Sequence, residues 1–232
     1  MDINDERIRN AVDNTEVLRA PRQSLATFGT TSIGYYMLTK PAYSDLSKDV
    51  DETVVREGQV VAGRPRIVTP YYLSRVDGFS RDARRYFEML TRRHGLDAPG
   101  LFYTYRNEPK ELNIISQNLE SVLARINGEV DERNDPLVTI IRGEDELWDV
   151  SLMKFIAEMT QSSLPGNLSE FRSRGLLDVD ASGVPMDARL RIEELFAKLA
   201  RGEIEPHNLR DELEHWGLFE QYQDRFFSIF RR

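Results

Sequence analysis

The chain has 232 residues, of which 40% are hydrophobic and 30% charged, so it can bury a substantial core. It contains no cysteine, which excludes disulfide bonds, thiolate nucleophiles and cysteine-ligated metal sites. A formal net charge of −8 argues against broad nucleic-acid binding, because phosphate contacts need clustered lysine and arginine. With no apolar run of the ~18 residues that a membrane span needs and no leader-like start, we expect a soluble, cytoplasmic protein without membrane contact.

Residues 1–19 are mostly polar and form a predicted N-terminal extension, in which the spacing of Ile8, Val12 and Leu18 permits a short helix. β-Branched and aromatic residues then dominate, with glycine, asparagine and proline between them, a pattern typical of hairpins. The predicted hairpins join 25–28 to 32–39 across Gly29, split 53–62 at Gly58, and join 101–106 to 111–116 across Pro109. Residues 66–69 form a further predicted strand.

Two amphipathic helices accompany these strands. Residues 80–93 follow the 3.6-residue period, and residues 118–132 carry Leu119, Val122, Ile126 and Val130 on one face. The apolar run 137–141 is typical of a buried strand. A strand, a helix and a strand of these lengths can form a parallel crossover.

After Arg142 the pattern becomes helical, with apolar stripes at helical spacing. Asn167-x-x-Glu170 matches a capping box and predicts a separate short helix at that point. The predicted helix stops are Gly175, Gly202 and Gly217. We expect the last stripe to pack within the chain; it consists of Phe219, Tyr222, Phe226 and Phe230.

Strands first and helices afterwards predict an α+β fold: a mostly antiparallel N-terminal sheet with two packed helices, followed by an all-helical C-terminal part. The predicted domains are the extension at 1–19, a sheet-based domain at 20–145 and a helical domain or subdomain at 146–232.

An arginine strip is the first candidate site. Helical spacing brings Arg81, Arg85 and Arg92 together on the predicted helix 80–93, with Arg84 beside them. Such a strip can hold phosphate or an acidic partner. It can equally be a solvated face that nearby acidic residues partly neutralise.

Carboxylates after the buried strand 137–141 are the second candidate site. Asp145 and Asp149 lie in the acidic segment 144–149, where a strand ends and a helix begins. A base or a metal ligand often occupies such a place. Acidic residues in the first turn of a helix also simply stabilise its dipole, and we favour that interpretation.

The segment 178–183 resembles the first half of a calcium-binding loop, with oxygen ligands at alternate positions and Gly183 at the turn. Arg189 stands where such a loop needs its bidentate glutamate, so we expect no calcium site. The same region permits a winged-helix interpretation, with 168–174 as a short recognition helix. The acidic surroundings argue against that interpretation.

The sequence contains no phosphate-binding glycine loop, nucleophile elbow or zinc motif, and its three histidines lack the spacing of a shared metal site. We therefore predict no cofactor and no metal, and assign no catalytic residue. The favoured function is a non-catalytic cytoplasmic binding or adaptor protein whose partner is another protein or a small anionic ligand. The alternatives are an enzyme acting on a phosphorylated or nucleotide substrate, with the arginines as its anion clamp, and a winged-helix nucleic-acid binder.

Overall fold

The computed structural model describes residues 3–43, 51–68 and 100–231. The elements in these ranges are α1 (Ile3–Asp13), β1 (Glu16–Arg19), β2 (Thr31–Lys40), β3 (Thr53–Ala62), β4 (Arg66–Val68), β5 (Gly100–Phe102), β6 (Tyr105–Ile115), α2 (Leu119–Arg133), β7 (Val138–Glu144), α3 (Trp148–Ser173), α4 (Met186–Ala200), α5 (Pro206–His215), α6 (Phe219–Ser228) and a short 3-10 helix (Ile229–Arg231). The short N-terminal helix is present as α1 and contains Ile8 and Val12, but Leu18, the third residue of the predicted apolar spacing, lies in strand β1. The predicted helix 80–93 lies outside the described residues.

Five strands form a mixed sheet in the order β1-β7-β2-β3-β6. Neighbouring strands are antiparallel except β2 and β7, which run parallel. The predicted α+β class with a mostly antiparallel sheet is confirmed. Strands β6 and β7 run in the same direction, as a crossover requires, but β3 and β2 lie between them in the sheet.

Helix α2 covers one face of the sheet. Its four predicted core residues, Leu119, Val122, Ile126 and Val130, are all buried. They form one cluster with buried side chains of β2, β3 and β7, which are Tyr36, Leu38, Val55 and Ile140. The local 3.6-residue period was therefore sufficient to predict both this helix and the face that it buries.

The first half of helix α3 is tied to helix α1 and strand β7. Thr15 Oγ1 donates to Ser151 Oγ at 2.7 Å, and both residues are buried. Lys154 Nζ donates to the carbonyl oxygens of Val12 and Thr15 at 3.0 Å each, which satisfies backbone acceptors at and just beyond the end of α1. On strand β7, a Cβ at Gly143 would fall 2.8 Å from Ser151 Cβ, so the glycine permits this close approach of helix and strand.

The three predicted hairpin turns are wrong. Residues 25–28 form no strand, 53–62 are the single strand β3, and 105–115 are the single strand β6. Gly58 and Pro109 are opposite each other across β3 and β6, where the register shifts. Lys110 has no register partner at this point, so the segment forms a bulge in the ladder instead of reversing the chain. Pro109 is tolerated because β6 is an edge strand of the described sheet.

The predicted break in the helix at Asn167 is also wrong. Helix α3 runs without interruption for 26 residues, with Pro165 inside it. Asn167 does not cap a new helix because its buried side chain is used elsewhere. Its Oδ1 accepts from Thr27 Oγ1 and its Nδ2 donates to the Tyr103 hydroxyl, each at 2.9 Å.

Helices α4, α5 and α6 share a core of their own, which includes Phe196, Leu209, Leu213, Trp216 and Phe226. Phe219 and Tyr222 are partly buried against it, so the predicted packing of the aromatic stripe is confirmed for three of its four members. Phe230 is 51% exposed and lies at the margin. The predicted stops are confirmed by positive φ values of 66° at Gly175, 71° at Gly202 and 67° at Gly217.

The chain divides into two compact units, each discontinuous in sequence. One comprises Met1–Arg64 with Tyr103–Asn167, and the other comprises Pro65–Phe102 with Leu168–Arg232. The first contains the five-stranded sheet and α2; the second contains α4 to α6 and the antiparallel pair β4 and β5. The continuous domain boundaries at 19/20 and 145/146 remain predictions. None of the helices in the described ranges is both long and apolar enough to cross a membrane.

Candidate functional site

Strands β2 and β7 end side by side, and a pocket opens at their carboxyl ends. The parallel register pairs Thr39 with Gly143 and Lys40 with Glu144. The pocket has a volume of about 540 Å³, within the range of ~300–1,000 Å³ that small-molecule sites occupy. Its lining comprises Asn14, Lys40, Pro41, Ala42, Leu119, Arg142, Gly143, Glu144, Asp145 and Glu146. In open α/β sheets, ligands commonly bind outside the carboxyl ends of parallel strands, and β2 and β7 are the parallel pair of this mostly antiparallel sheet. We call this site the carboxyl-edge pocket.

Asp145 is held at the wall of the carboxyl-edge pocket by donors from β2, β3 and the loop after β2. Its Oδ1 accepts from Thr39 Oγ1 at 2.8 Å and forms an ion pair with Arg56 Nη1 at 2.7 Å. Its Oδ2 accepts from the backbone N–H of Ala42 at 3.2 Å. The side chains of Asp145 and Arg56 are only 19% and 15% exposed, so this ion pair is largely shielded from water.

These contacts change the acidity of Asp145. Burial by itself would raise the pKa of the carboxyl group, because it disfavours the charged form. The hydrogen bonds from Thr39, Arg56 and Ala42 and the positive charge of Arg56 outweigh burial, and the pKa lies below its ordinary value. Asp145 is therefore a stably ionised anchor whose two oxygens both already accept hydrogen bonds.

Besides its ion pair with Asp145, Arg56 contacts Trp148 and Thr39. Its guanidinium carbon lies 5.6 Å from the ring centroid of Trp148, at the start of helix α3. Its Nη1 also donates to Thr39 Oγ1 at 3.2 Å. The stacked and hydrogen-bonded guanidinium thus links β3 to the segment after β7.

Most other charges at the pocket have their own partners. Arg142 forms an ion pair with Glu16, and Glu146 forms one with Arg7 Nη2 at 2.8 Å. Glu144 accepts a hydrogen bond from Asn14 Nδ2 at 2.7 Å, and no cationic side chain in the described ranges forms an ion pair with it.

The two sequence-predicted carboxylates have different positions. Asp145 lines the carboxyl-edge pocket, whereas Asp149 is exposed in the first turn of helix α3, where its Oδ1 accepts from Val150 N at 3.0 Å. Asp149 is not among the lining residues. Arg81, Arg84, Arg85 and Arg92 lie outside the described residues, so the arginine strip remains a prediction.

The calcium-like segment is organised by Arg189. Asp180 Oδ1 accepts from the backbone N–H of Ser182 at 2.8 Å and of Val184 at 3.1 Å. Its Oδ2 pairs with Arg189 Nη2 at 2.5 Å. The pKa of Asp180 is lowered, because these donors outweigh the effect of burial. Arg189, which stands where a calcium-binding loop has its glutamate, therefore supplies the positive charge that faces the Asp180 carboxylate. Residues 168–173 are the end of helix α3 and not a separate short helix.

Within the ranges that the structure describes, no three histidine or acidic side chains are grouped so that they could hold a metal ion. Comparison with protein-family models, with curated proteins and with solved structures finds no significant match.

Sequence reasoning missed Thr39, Lys40, Arg56 and Asn14. Each is an isolated polar residue in or beside an ordinary strand or helix. The signal that would have selected Thr39 and Lys40 is the parallel pairing of β2 with β7, because it brings two strand ends together. The turn predicted inside β3 concealed the place of Arg56 in the strand beside β2.

Proposed function

We propose that this chain is a non-catalytic binding protein that takes a small charged ligand in the carboxyl-edge pocket. The observation that carries the proposal is the pocket itself, which has a volume of about 540 Å³ at the carboxyl ends of β2 and β7 and ionic groups on its wall. Small-molecule sites combine apolar walls with a few placed polar groups, and Pro41, Ala42 and Leu119 supply the apolar part here.

The lowered pKa of Asp145 and the hydrogen bonds that its oxygens already accept favour a binding role over catalysis. A general base must accept a proton near neutral pH and needs an oxygen within reach of substrate. The lowered pKa of Asp145 makes it a poor base, and its oxygens already accept from Thr39, Arg56 and Ala42. Its position supports a role in shaping the pocket. The enzyme alternative depends on the predicted arginine clamp, which lies outside the described residues.

A pocket-filling variant tests this function. Ala42 is exposed and lines the pocket, and its contact with Asp145 uses only the backbone N–H. Ala42→Trp therefore fills the pocket without removing that hydrogen bond. The matched control is Ala181→Trp, which adds the same side chain at an exposed loop position of the other unit.

Thermal unfolding is measured with amino acids, di- and tricarboxylates, sugar phosphates and nucleotides at saturating millimolar concentration. A ligand at a hundred times its Kd stabilises the native state by about 2.7 kcal/mol, which raises Tm measurably. We expect at least one class to stabilise the wild type and Ala181→Trp but not Ala42→Trp. A ligand that stabilises all three proteins equally would contradict the proposal, as would no stabilisation by any class.

A further inference from the structure

Two opposite charges stand next to each other in the carboxyl-edge pocket without pairing. Lys40 and Glu144 are register partners at the ends of the parallel strands β2 and β7, and both line the pocket. Neighbouring strands are about 4.8 Å apart, so the two side chains start from adjacent positions. Among the ion pairs of the described residues, none joins Lys40 to Glu144.

The other ionic groups on the pocket wall are engaged within the protein. Asp145 is paired with Arg56, Glu146 with Arg7, and Arg142 with Glu16. Among the residues that the structure describes, none forms a hydrogen bond or ion pair with the Lys40 ammonium group, and the Glu144 carboxylate accepts a hydrogen bond only from the neutral Asn14 amide. Of the lining residues that the structure describes, Lys40 and Glu144 therefore present one ammonium and one carboxylate group to a ligand.

This arrangement disfavours a ligand that carries a single kind of charge. An anion attracted by Lys40 approaches the carboxylate of Glu144, and an amine attracted by Glu144 approaches the ammonium of Lys40. A molecule that carries an ammonium and a carboxylate group on the same carbon satisfies each side chain with its opposite charge. An α-amino acid has this charge pattern, and the pocket volume of about 540 Å³ leaves room for its side chain beside Pro41 and Leu119.

We propose that the carboxyl-edge pocket binds a free α-amino acid, an inference that rests on the proposed function of that pocket. Lys40 binds the α-carboxylate and Glu144 binds the α-ammonium group. The apolar part of the wall contacts the aliphatic portion of the ligand. Asp145 and Arg56 do not touch the ligand's charges; they hold Ala42, two residues after β2, in place.

The probes are the twenty standard amino acids, measured individually by isothermal titration calorimetry on the full chain. Each one that binds is compared with its N-acetyl derivative, which lacks the ammonium group, and with its carboxamide, which lacks the carboxylate. A site that pairs with a ligand group rejects an analogue without it, so we expect each derivative to bind about tenfold or more weakly.

Charge-neutralising variants assign the two contacts. Lys40→Gln is expected to bind the carboxamide and the free amino acid equally, while still rejecting the N-acetyl form. Glu144→Gln is expected to show the reverse selectivity. Lys110→Gln, at an exposed position of the edge strand β6, serves as the control and keeps the wild-type selectivity.

Three results would overturn the inference: no amino acid binds, the two derivatives bind as tightly as the free amino acid, or the variants leave selectivity unchanged. If amino acids fail but another ligand class binds in a manner that Ala42→Trp abolishes, only the amino-acid inference fails and the proposed function stands. If Ala42→Trp affects no ligand, both fail.

Discussion

Tyr35 on β2 and Gly58 on β3 are opposite each other in the sheet, so close that a Cβ at Gly58 would fall 2.5 Å from Tyr35 Cζ. The Tyr35 hydroxyl donates to Asn107 Oδ1 of β6 at 3.1 Å, so the ring cannot move aside without losing this bond. We expect Gly58→Ala to lower the free energy of unfolding by about 1–3 kcal/mol, the usual cost of overpacking. Urea denaturation measures the change.

The control for this prediction is Gly128→Ala. Gly128 is exposed in the interior of helix α2, and a Cβ there would meet nothing within 4 Å. Replacing glycine by alanine in a helix interior stabilises by roughly 0.5–1 kcal/mol. The two substitutions should therefore change stability in opposite directions, and changes of the same sign would contradict the close contact of Tyr35 with Gly58.

Gly58 also shows why the turn predicted inside β3 is wrong while the prediction of helix α2 is confirmed. A glycine in a β-rich run has two local interpretations, a turn or a close approach, and the choice between them depends on Tyr35 in another strand. Helix α2 needed no such information, because Val122, Ile126 and Val130 repeat at helical spacing within one segment. Local periodicity was sufficient for α2, whereas the continuity of β3 depends on pairing between distant segments.

Asn167 provides a second test, because the pattern Asn167-x-x-Glu170 can be a capping box or part of the continuous helix α3. The two interpretations predict different effects of mutation. Its buried amide bridges the hydroxyls of Thr27 and Tyr103. Asn167→Ala leaves both hydroxyls without this partner, so we expect a loss of about 1–3 kcal/mol in the free energy of unfolding. Denaturant unfolding of the variant gives the value.

The discriminating variant is Glu170→Ala. A capping box at Asn167 would require the Glu170 side chain, and its removal would cost about 1 kcal/mol. In the continuous helix α3, Glu170 is exposed and has Arg174 Nη2 at 3.9 Å, a contact worth less than ~0.5 kcal/mol. A cost for Glu170→Ala as large as that for Asn167→Ala would contradict the uninterrupted helix.

The candidate site was accessible from sequence only in part. Asp145 could be selected because it follows a buried apolar strand directly, a pattern readable within a few residues. Its partner Arg56 could not, because the ion pair joins β3 to the end of β7 across β2. Lys40 and Glu144 become a pair only through the parallel register. A site residue could be predicted when the pattern that marks it lies within one segment. Contacts between side chains of different strands could not be predicted, because they depend on how the strands pair.

Neutralising Asp145 tests its role as an anchor. Asp145→Asn leaves the largely buried Arg56 without its counter-charge, so we expect the free energy of unfolding at pH 7 to fall by about 1–3 kcal/mol. Asp149→Asn is the matched control. Asp149 is exposed and, among the residues that the structure describes, accepts only from the neighbouring backbone N–H, so its replacement should change stability by less than about 0.5 kcal/mol.

The cost of Asp145→Asn should also depend on pH in a defined direction. The pKa of Asp145 is lowered in the folded protein, so its contribution is complete above the unfolded pKa of about 3.9 and is lost as pH falls through the folded value. The difference between wild type and variant should therefore be constant between pH 7 and about pH 5 and shrink below about pH 4. An undiminished difference near pH 3 would mean that the ionised carboxylate is not what stabilises the fold.

Two adjacent phenylalanines in helix α6 test the core of the helical unit. Phe226 is 6% exposed and belongs to the cluster with Phe196, Leu213 and Trp216, whereas Phe227 is 44% exposed. Phe226→Ala removes a buried ring and leaves a cavity, so we expect it to cost about 3–5 kcal/mol. Phe227→Ala changes the same side chain one residue later and should cost clearly less than Phe226→Ala, because 44% of the Phe227 surface is already exposed to water. Denaturant unfolding of both variants gives the comparison. A shift below ~1 kcal/mol for Phe226→Ala would show that this ring is not part of the core, and equal shifts would show that helix α6 is rotated relative to its neighbours α4 and α5.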